Sequence, residues 1–199
     1  MAGFVDTFGR GSMMDLEFSV LQTSDVRLVR ITNDNQPELR ERLVACRGSE
    51  EMVARDFPRY CPRFDEDGRQ RRYGFLVETG ERVAGLVMLS IQNWIDARGH
   101  TSSDILPDMR GRGTAPKTKP LLFHLGFGLL ELNRIETGCF VSNDASRRSI
   151  EKAAGFRLEG VLREYGRNDQ GLFEDEYRYA ILKSDWRSLY GTIQVAVIA

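Results

Sequence analysis

Apolar and charged positions alternate over Val26–Thr32 (VRLVRIT), the two-residue period of a strand with one buried face. Asn33–Pro37 gathers turn formers, and Pro37 is placed to open a helix through ELRERLVACRG. Ser49, followed by Glu50 and Glu51, reads as the N-cap of a short helix reaching about Phe57, because its hydroxyl can accept a first-turn N–H while the carboxylates face the positive end of the dipole. From Pro58 to Arg72, two prolines and eight charges interrupt any period, which predicts a long surface loop. Two dense apolar runs, YGFLVET and RVAGLVMLSIQ, flank Gly80–Glu81 and predict a hairpin.

His100–Pro107 (HTSSDILP) predicts a further strand that stops at Pro107. Lys117 to Leu132 then sets Leu121, Leu122, Leu125, Leu129 and Leu132 on one broad apolar face of a helix. RIETGCFV reads as a strand, SNDASRRSIEKAA as a second helix closed by Gly155, and FRLEGVLREYGR with LFEDEYRYAILK as an antiparallel pair turning around Asn168–Gly171. The alternation of strands and helices predicts a mixed α/β sheet in one domain, without internal repeats. The domain is placed at 23–187. The stretch 1–22 opens on the Gly-rich MAGFVDTFGRGSMM, read as an arm or leader, and 188–199 as a C-terminal tail.

Composition narrows the functional classes. A chain of 199 residues, 41% hydrophobic and 29% charged, can bury one full core, and a net charge of -1 gives no global field for nucleic acid or an anionic membrane. Cys46, Cys61 and Cys139 include no C-x-x-C pair and His100 and His124 are the only histidines, so neither a disulfide framework nor a metal site is expected. No run has the length of a membrane span and the start lacks the basic-then-apolar order of a signal peptide, so the expected compartment is the cytoplasm.

The chemistry concentrates in DMRGRGTAPKTKPLL, from Asp108. A strand that ends in a Gly-rich turn and enters a helix presents unpaired backbone N–H groups at the positive end of a dipole, a ready anion site. Gly111 and Gly113 permit positive φ and close approach, and Arg110, Arg112 and Lys117 add charge. The Walker A spacing is absent, and the dinucleotide pattern fails where Pro116 takes its third position. On these residues alone the loop fits a phosphate cradle and equally a tight turn with two arginines in solvent.

Arg110, Gly113 and Ala115 form R-x-x-G-x-A; SNDASRRSIEKAAGFRLEGVLRE follows about thirty residues later, with LNRIETGCF ahead of it and EDEYRYAILKSDW after it. Together these resemble the GNAT N-acetyltransferases of the RimJ/RimL-type branch, over roughly Val26 to Trp186. The resemblance implies a single GNAT-type α/β domain with a splayed mixed, largely antiparallel central sheet flanked by helices. It implies direct attack, in a ternary complex, of a primary amine (a protein N-terminus or a small molecule) on the thioester of the cosubstrate acetyl-CoA. The pantetheine would run along Ser103 to Leu106, touching Ile105 and Leu106. Arg110, Gly111, Arg112, Gly113, Thr114 and Ala115 would wrap the pyrophosphate, and Asn143 and Ser146 would also contact the cofactor. Asn143 fits a helix N-cap as well, and both roles can hold at once.

For the chemistry, Ser146 matches a serine that relatives can place near the leaving sulfur, or it faces solvent. Tyr165 is a second phenolic donor, or an aromatic packed on the sheet. The branch often carries a glutamate at the position of Gly166. Glu164, two residues earlier and expected on the same strand face, is the substitute base, with Glu174, Asp175 and Asp104 as further carboxylates. Expected partners are acetyl-CoA and an amine, without nucleic acid or membrane, and a homodimer stays open. The alternative is a catalytically weak CoA-binding sensor or scaffold. Two departures from the branch stand out: EKAAGF carries one residue more than the usual spacing, and Pro116 and Pro120 fall in the first turns of the helix behind the loop, Pro120 where its ring would crowd the carbonyl of Pro116.

Overall fold

The computed structural model describes residues 16, 18–47, 49–190 and 194–199. Among the described residues, ten strands form one sheet: β1 (Val20–Gln22), β2 (Arg27–Arg30), β3 (Arg63–Phe64), β4 (Gln70–Thr79), β5 (Arg82–Asn93), β6 (Arg98–Ile105), β7 (Arg134–Phe140), β8 (Arg157–Arg167), β9 (Phe173–Leu182) and β10 (Ala196–Ile198). The order across the sheet is β10-β1-β2-β4-β5-β6-β7-β9-β8, with β3 hydrogen-bonded to β4. Every pairing is antiparallel except that of β6 with β7. The described residues also form five α-helices: α1 (Gln36–Arg47), α2 (Glu50–Asp56), α3 (Thr114–Phe123), α4 (Asp144–Lys152) and α5 (Lys183–Tyr190). No helix among the described residues is long and apolar enough to cross a membrane.

The two sheet faces carry different helices. Thr101 and Ser103 face Lys119 of α3, and Leu89 and Ile135 on that same face receive Gly126 just beyond α3. On the opposite face Gly74 of β4 lies against the backbone of Tyr60, at the end of α2, which in turn packs on α1. Phe75, Leu76, Val77, Leu86, Val87 and Leu89 on the central β4–β5 hairpin are fully buried between these layers. Burial at both faces explains why that hairpin reads as a near-continuous apolar run rather than as an alternating one.

Several expectations shift at their edges. The stretch from Pro58 to Arg72 is mostly ordered structure: a 3-10 turn at Phe57–Arg59, then β3, with β4 already under way at Gln70. Asp65 organises the turn between them, its Oδ1 accepting from the N–H groups of Asp67 (3.1 Å) and Arg69 (2.8 Å). The helix expected from Lys117 starts at Thr114, because Gly113 takes a left-handed conformation (φ 74) and serves as its N-cap. Pro116 therefore falls in the first turn, where a missing N–H costs nothing, while Pro120 lies inside the helix and forfeits one bond. Past Phe123 the helix widens into a π-helical segment, His124–Leu129, which seats Gly126 against Ile135, Leu89 and Leu132.

The sheet also reaches into both stretches placed outside the domain. β1 pairs with β2 and β10, and α5 runs to Tyr190. Of the arm or leader expected at 1–22, residues 1–15 and 17 lie outside the described residues. At EKAAGF, α4 stops at Lys152 and the buried Ala153 leads into a turn at Gly155 (φ 98).

A Cβ built at Gly74 would overlap the Tyr60 carbonyl oxygen, a backbone atom that cannot swing aside. Gly74→Ala is therefore expected to cost roughly 1–3 kcal/mol and to lower the unfolding midpoint by several degrees in a thermal melt.

Candidate active site

The one parallel pairing in the sheet is also the shortest joint near its centre. β6 and β7 are in register only at Arg98–Arg134, Gly99–Ile135 and His100–Glu136. β6 then continues to Ile105 and β7 to Phe140 without further pairing. The last link is a side-chain bond, from Thr137 Oγ1 to the carbonyl oxygen of Thr101 at 3.0 Å. Beyond it the strands part, and their facing edges offer backbone groups to an extended ligand, as a sheet edge accepts an added strand.

Because the two strands are parallel, both carboxyl ends open to the same side. From β6, Leu106 enters a 3-10 turn at Pro107–Met109, and the loop reaches α3 through Gly111 and Gly113, both at φ 74. Nothing lies within 4 Å of a Cβ at either glycine, so positive φ rather than crowding requires glycine there. The N-cap glycine has no side chain to satisfy the first-turn N–H groups of α3, which leaves them directed at the loop. From β7, Asn143 begins α4 on the opposite wall of the split.

The expected cofactor residues thus gather at one end of the split, with individual corrections. Arg110 turns back, its Nε donating to the Ile105 carbonyl at 2.9 Å and bracing the end of β6. Lys117 is engaged elsewhere: its Nζ pairs with Asp25 at 3.0 Å, and that contact lowers the Asp25 pKa. Asn143 is the N-cap of α4, its Oδ1 accepting from the Ser146 N–H at 3.0 Å. A cavity of about 330 Å³ lies beside the loop, lined by Cys46, Met52, Leu106, Pro107, Asp108 and Arg110.

The three expected catalytic residues are not brought together. Ser146 lies beside the buried Cys139 on the α4 side. Tyr165 packs on the other face, its ring centroid 4.8 Å from the Arg178 guanidinium carbon. The alternation that would set Glu164 level with Gly166 is broken. Between Leu162–Glu176 and Gly166–Glu174 the ladder bulges, Glu164 takes φ 48, and its N–H donates to Asp175 Oδ1 at 2.8 Å. Asp175, offered by the sequence as a candidate base, is the acceptor that holds this bulge.

On that face, beside the split, sits a polar group the sequence pattern did not single out. Glu136 neighbours His100 across the last β6–β7 pair and binds Arg134 Nε at 2.9 Å. Arg178 holds Glu176 at 2.8 Å and approaches Glu136 at 4.0 Å. Burial first, then Arg178 and Lys119, push His100 down to about 4, so its imidazole is neutral at pH 7. These charges lie at alternate positions of β7 and β9, which in sequence read as ordinary outward-facing strand residues. The signal that could have found them is the pairing of GCF with DEYRY across the two strands.

Residues 15–157 match the acetyltransferase (GNAT) domain family. The chain belongs to the GNAT acetyltransferases. It is 26% identical over 133 residues to the uncharacterized N-acetyltransferase p20 of Bacillus licheniformis, covering 67% of this chain and 74% of that one. Its fold is similar to the spermidine N-acetyltransferase of Vibrio cholerae in complex with CoA and spermine, with a TM-score of 0.62 at 22% identity over 82% of this chain and 99% of that one. The dodecameric form of spermidine N-acetyltransferase from that organism matches with a TM-score of 0.62 at 20% identity, covering 86% and 100%. The splayed mixed sheet flanked by helices is the fold expected of a GNAT acetyltransferase.

Lys119 in this acetyltransferase is a buried ammonium held, among the described residues, by two hydroxyls, Thr101 Oγ1 and Ser103 Oγ, each at 3.2 Å, with the Phe156 ring 6.0 Å away. Burial pushes it down to about 8 from an ordinary 10.5. An ammonium with a lowered pKa in the folded state opposes folding most below pH 8. The opposition fades between about 8 and 10.5, where only the unfolded chain holds the proton. Lys119→Met is expected to raise stability at pH 7 by up to about 3 kcal/mol, and to flatten the rise in stability between pH 8 and 10.5, both read from denaturant melts across pH.

Proposed function

We propose that this chain, as a member of the RimJ/RimL-type branch, moves the acetyl group of acetyl-CoA to a primary amine, on a protein N-terminus or a small molecule, by direct attack in a ternary complex. The observation that carries this reading is the split between β6 and β7 with an uncapped helix N-terminus at its carboxyl end. The pantetheine arm, an extended chain of amides, would pair with the edge of β6 up to Ile105 and Leu106. The pyrophosphate would take the backbone N–H groups of Gly111, Arg112, Gly113, Thr114 and Ala115. In this reading Arg110 acts indirectly, by holding the carboxyl end of β6. Asn143 positions α4, and through it Ser146, against the opposite wall. The family supports acetyl transfer, and the spermidine N-acetyltransferase that shares the fold supports an amine as acceptor.

In the reaction, the neutral amine attacks the thioester carbonyl, a tetrahedral oxyanion forms, and the C–S bond breaks to release CoA thiolate. The Ser146 hydroxyl would donate to the departing sulfur. A homodimer belongs to the same reading, supported by exposed Leu158, Val161 and Leu162 on β8 at the edge of the sheet.

The test is thiol release from acetyl-CoA over a panel of amines and peptide N-termini, together with direct titration of CoA. Turnover of at least one amine is expected; CoA binding with no turnover on any amine would instead mark a sensor. Gly113→Asp adds a side chain at positive φ and an anion in the cradle, and is expected to weaken CoA binding by roughly 100-fold or more. Ser146→Ala leaves the Asn143 cap intact, since the cap bond uses the Ser146 backbone. It is expected to lower kcat by roughly tenfold to 100-fold with CoA affinity little changed. Equal loss of CoA affinity in both variants would contradict these roles.

A further inference from the structure

Direct attack on a thioester needs a group to take the amine proton, and the carboxylates favoured by the sequence are not placed for it: Glu164 is exposed on a bulge, and Asp175 accepts that bulge's N–H. The structure puts another carboxylate at the border of the split. Gly138 is the second β7 residue beyond the last one paired with β6. A Cβ built on it would overlap Glu176 Oε1, so the Glu176 carboxylate lies directly over the β7 backbone at that border. A glycine at position 138 is what lets it approach so closely. Across the gap, Ser102 lies on the same face, and its Oγ is buried without a hydrogen-bond partner among the described residues.

The surroundings suit proton transfer. The Glu176 side chain is only 15% exposed and is held by Arg178 at 2.8 Å, while Arg178 is itself fixed by Glu136 and the Tyr165 ring. Burial, opposed by Arg178, leaves the Glu176 carboxyl above its ordinary range, which makes it a stronger base than a surface carboxylate. The neutral His100 beside Glu136 adds no competing charge.

We propose that Glu176 is the proton acceptor of the transfer, taking a proton from the acceptor amine as it enters from the Ser102–Gly138 face of the split. This rests on the acetyl-transfer reading above. As the C–N bond forms, the amine nitrogen gives its proton to the Glu176 carboxylate. As the C–S bond breaks, its electron pair leaves on sulfur, and the thiolate takes a proton from solvent to give CoA thiol. Glu176 returns its proton to solvent.

The experiment compares wild type, Glu176→Gln and Gly138→Ala by CoA titration and by pH profiles of kcat/KM on one turned-over amine. Glu176→Gln keeps the shape and a hydrogen bond to Arg178, so it is expected to bind CoA as the wild type does, to lose roughly 100-fold or more in kcat, and to lose the Glu176 step from the acid limb. The steep wild-type fall, from enzyme and amine protonation together, would become a single-proton fall due to the amine. Gly138→Ala keeps the carboxylate but displaces it, and is expected to lower kcat with CoA affinity unchanged. A Glu176→Gln enzyme with wild-type kcat and an unchanged acid limb would overturn the assignment. So would loss of activity with an unchanged acid limb, which would make Glu176 structural. If wild type binds CoA and turns over no amine, the acetyl-transfer reading itself fails, a separate outcome visible before any variant is made.

Discussion

The organisation of this acetyltransferase depends on one pairing that stops early. β6 and β7 share three residue pairs and then separate, while each remains fully paired on its other side, to β5 and to β9. An unpaired strand edge in the middle of a sheet carries orphan N–H and C=O groups, which cost free energy unless water or a ligand satisfies them. The two walls cannot close, because each is fixed by its own half of the sheet and by its own helix, α3 on one side and α4 on the other. Thr137, bonding to the Thr101 carbonyl, marks where backbone pairing gives way to a single side-chain link. The fold therefore keeps β6 and β7 apart beyond these pairs, and the candidate site is arranged around that gap.

The two faces of the slot divide the labour. On the α3–α4 side lie the elements suited to the donor: the Gly111–Gly113 turn, the uncapped start of α3, and Asn143 organising the first turn of α4. On the other face lies a belt of paired charges, Arg134, Glu136, Arg178 and Glu176, whose partners hold them in place. Lys119 departs from this economy. It is an ammonium with no carboxylate partner among the described residues, buried on the α3 side of the sheet. Its burial opposes folding, and hydroxyl contacts offset only part of that cost.

Much of the fold could be read from the chain, for physical reasons. The β4–β5 hairpin announced itself because both of its faces are buried, and α4 because Asn143 and Gly155 mark its ends. The RGRG loop was legible because a positive φ all but demands glycine. What could not be read depended on contacts between segments distant in sequence. The hairpin at Arg63–Gln70 was hidden by its prolines and charges, while its turn is held by Asp65 accepting from backbone N–H groups. The π-helical widening after Phe123 follows from packing against Ile135 and Leu132, which a one-dimensional period does not record. Glu164 was misplaced for a related reason. Alternation is a property of an unbroken ladder, and Asp175 breaks this one from the neighbouring strand. Glu176 escaped notice because its meaning comes from Gly138, thirty-eight positions earlier and one strand away.

Amide hydrogen exchange with and without CoA tests the central claim, that the slot between β6 and β7 holds the acyl donor. The account predicts slowed exchange in the unpaired part of β6 through Leu106 and in residues 111–115, with little change in α1 and α2. CoA binding that leaves both segments unprotected, or that protects the cavity beside Cys46 and Met52 instead, would contradict it.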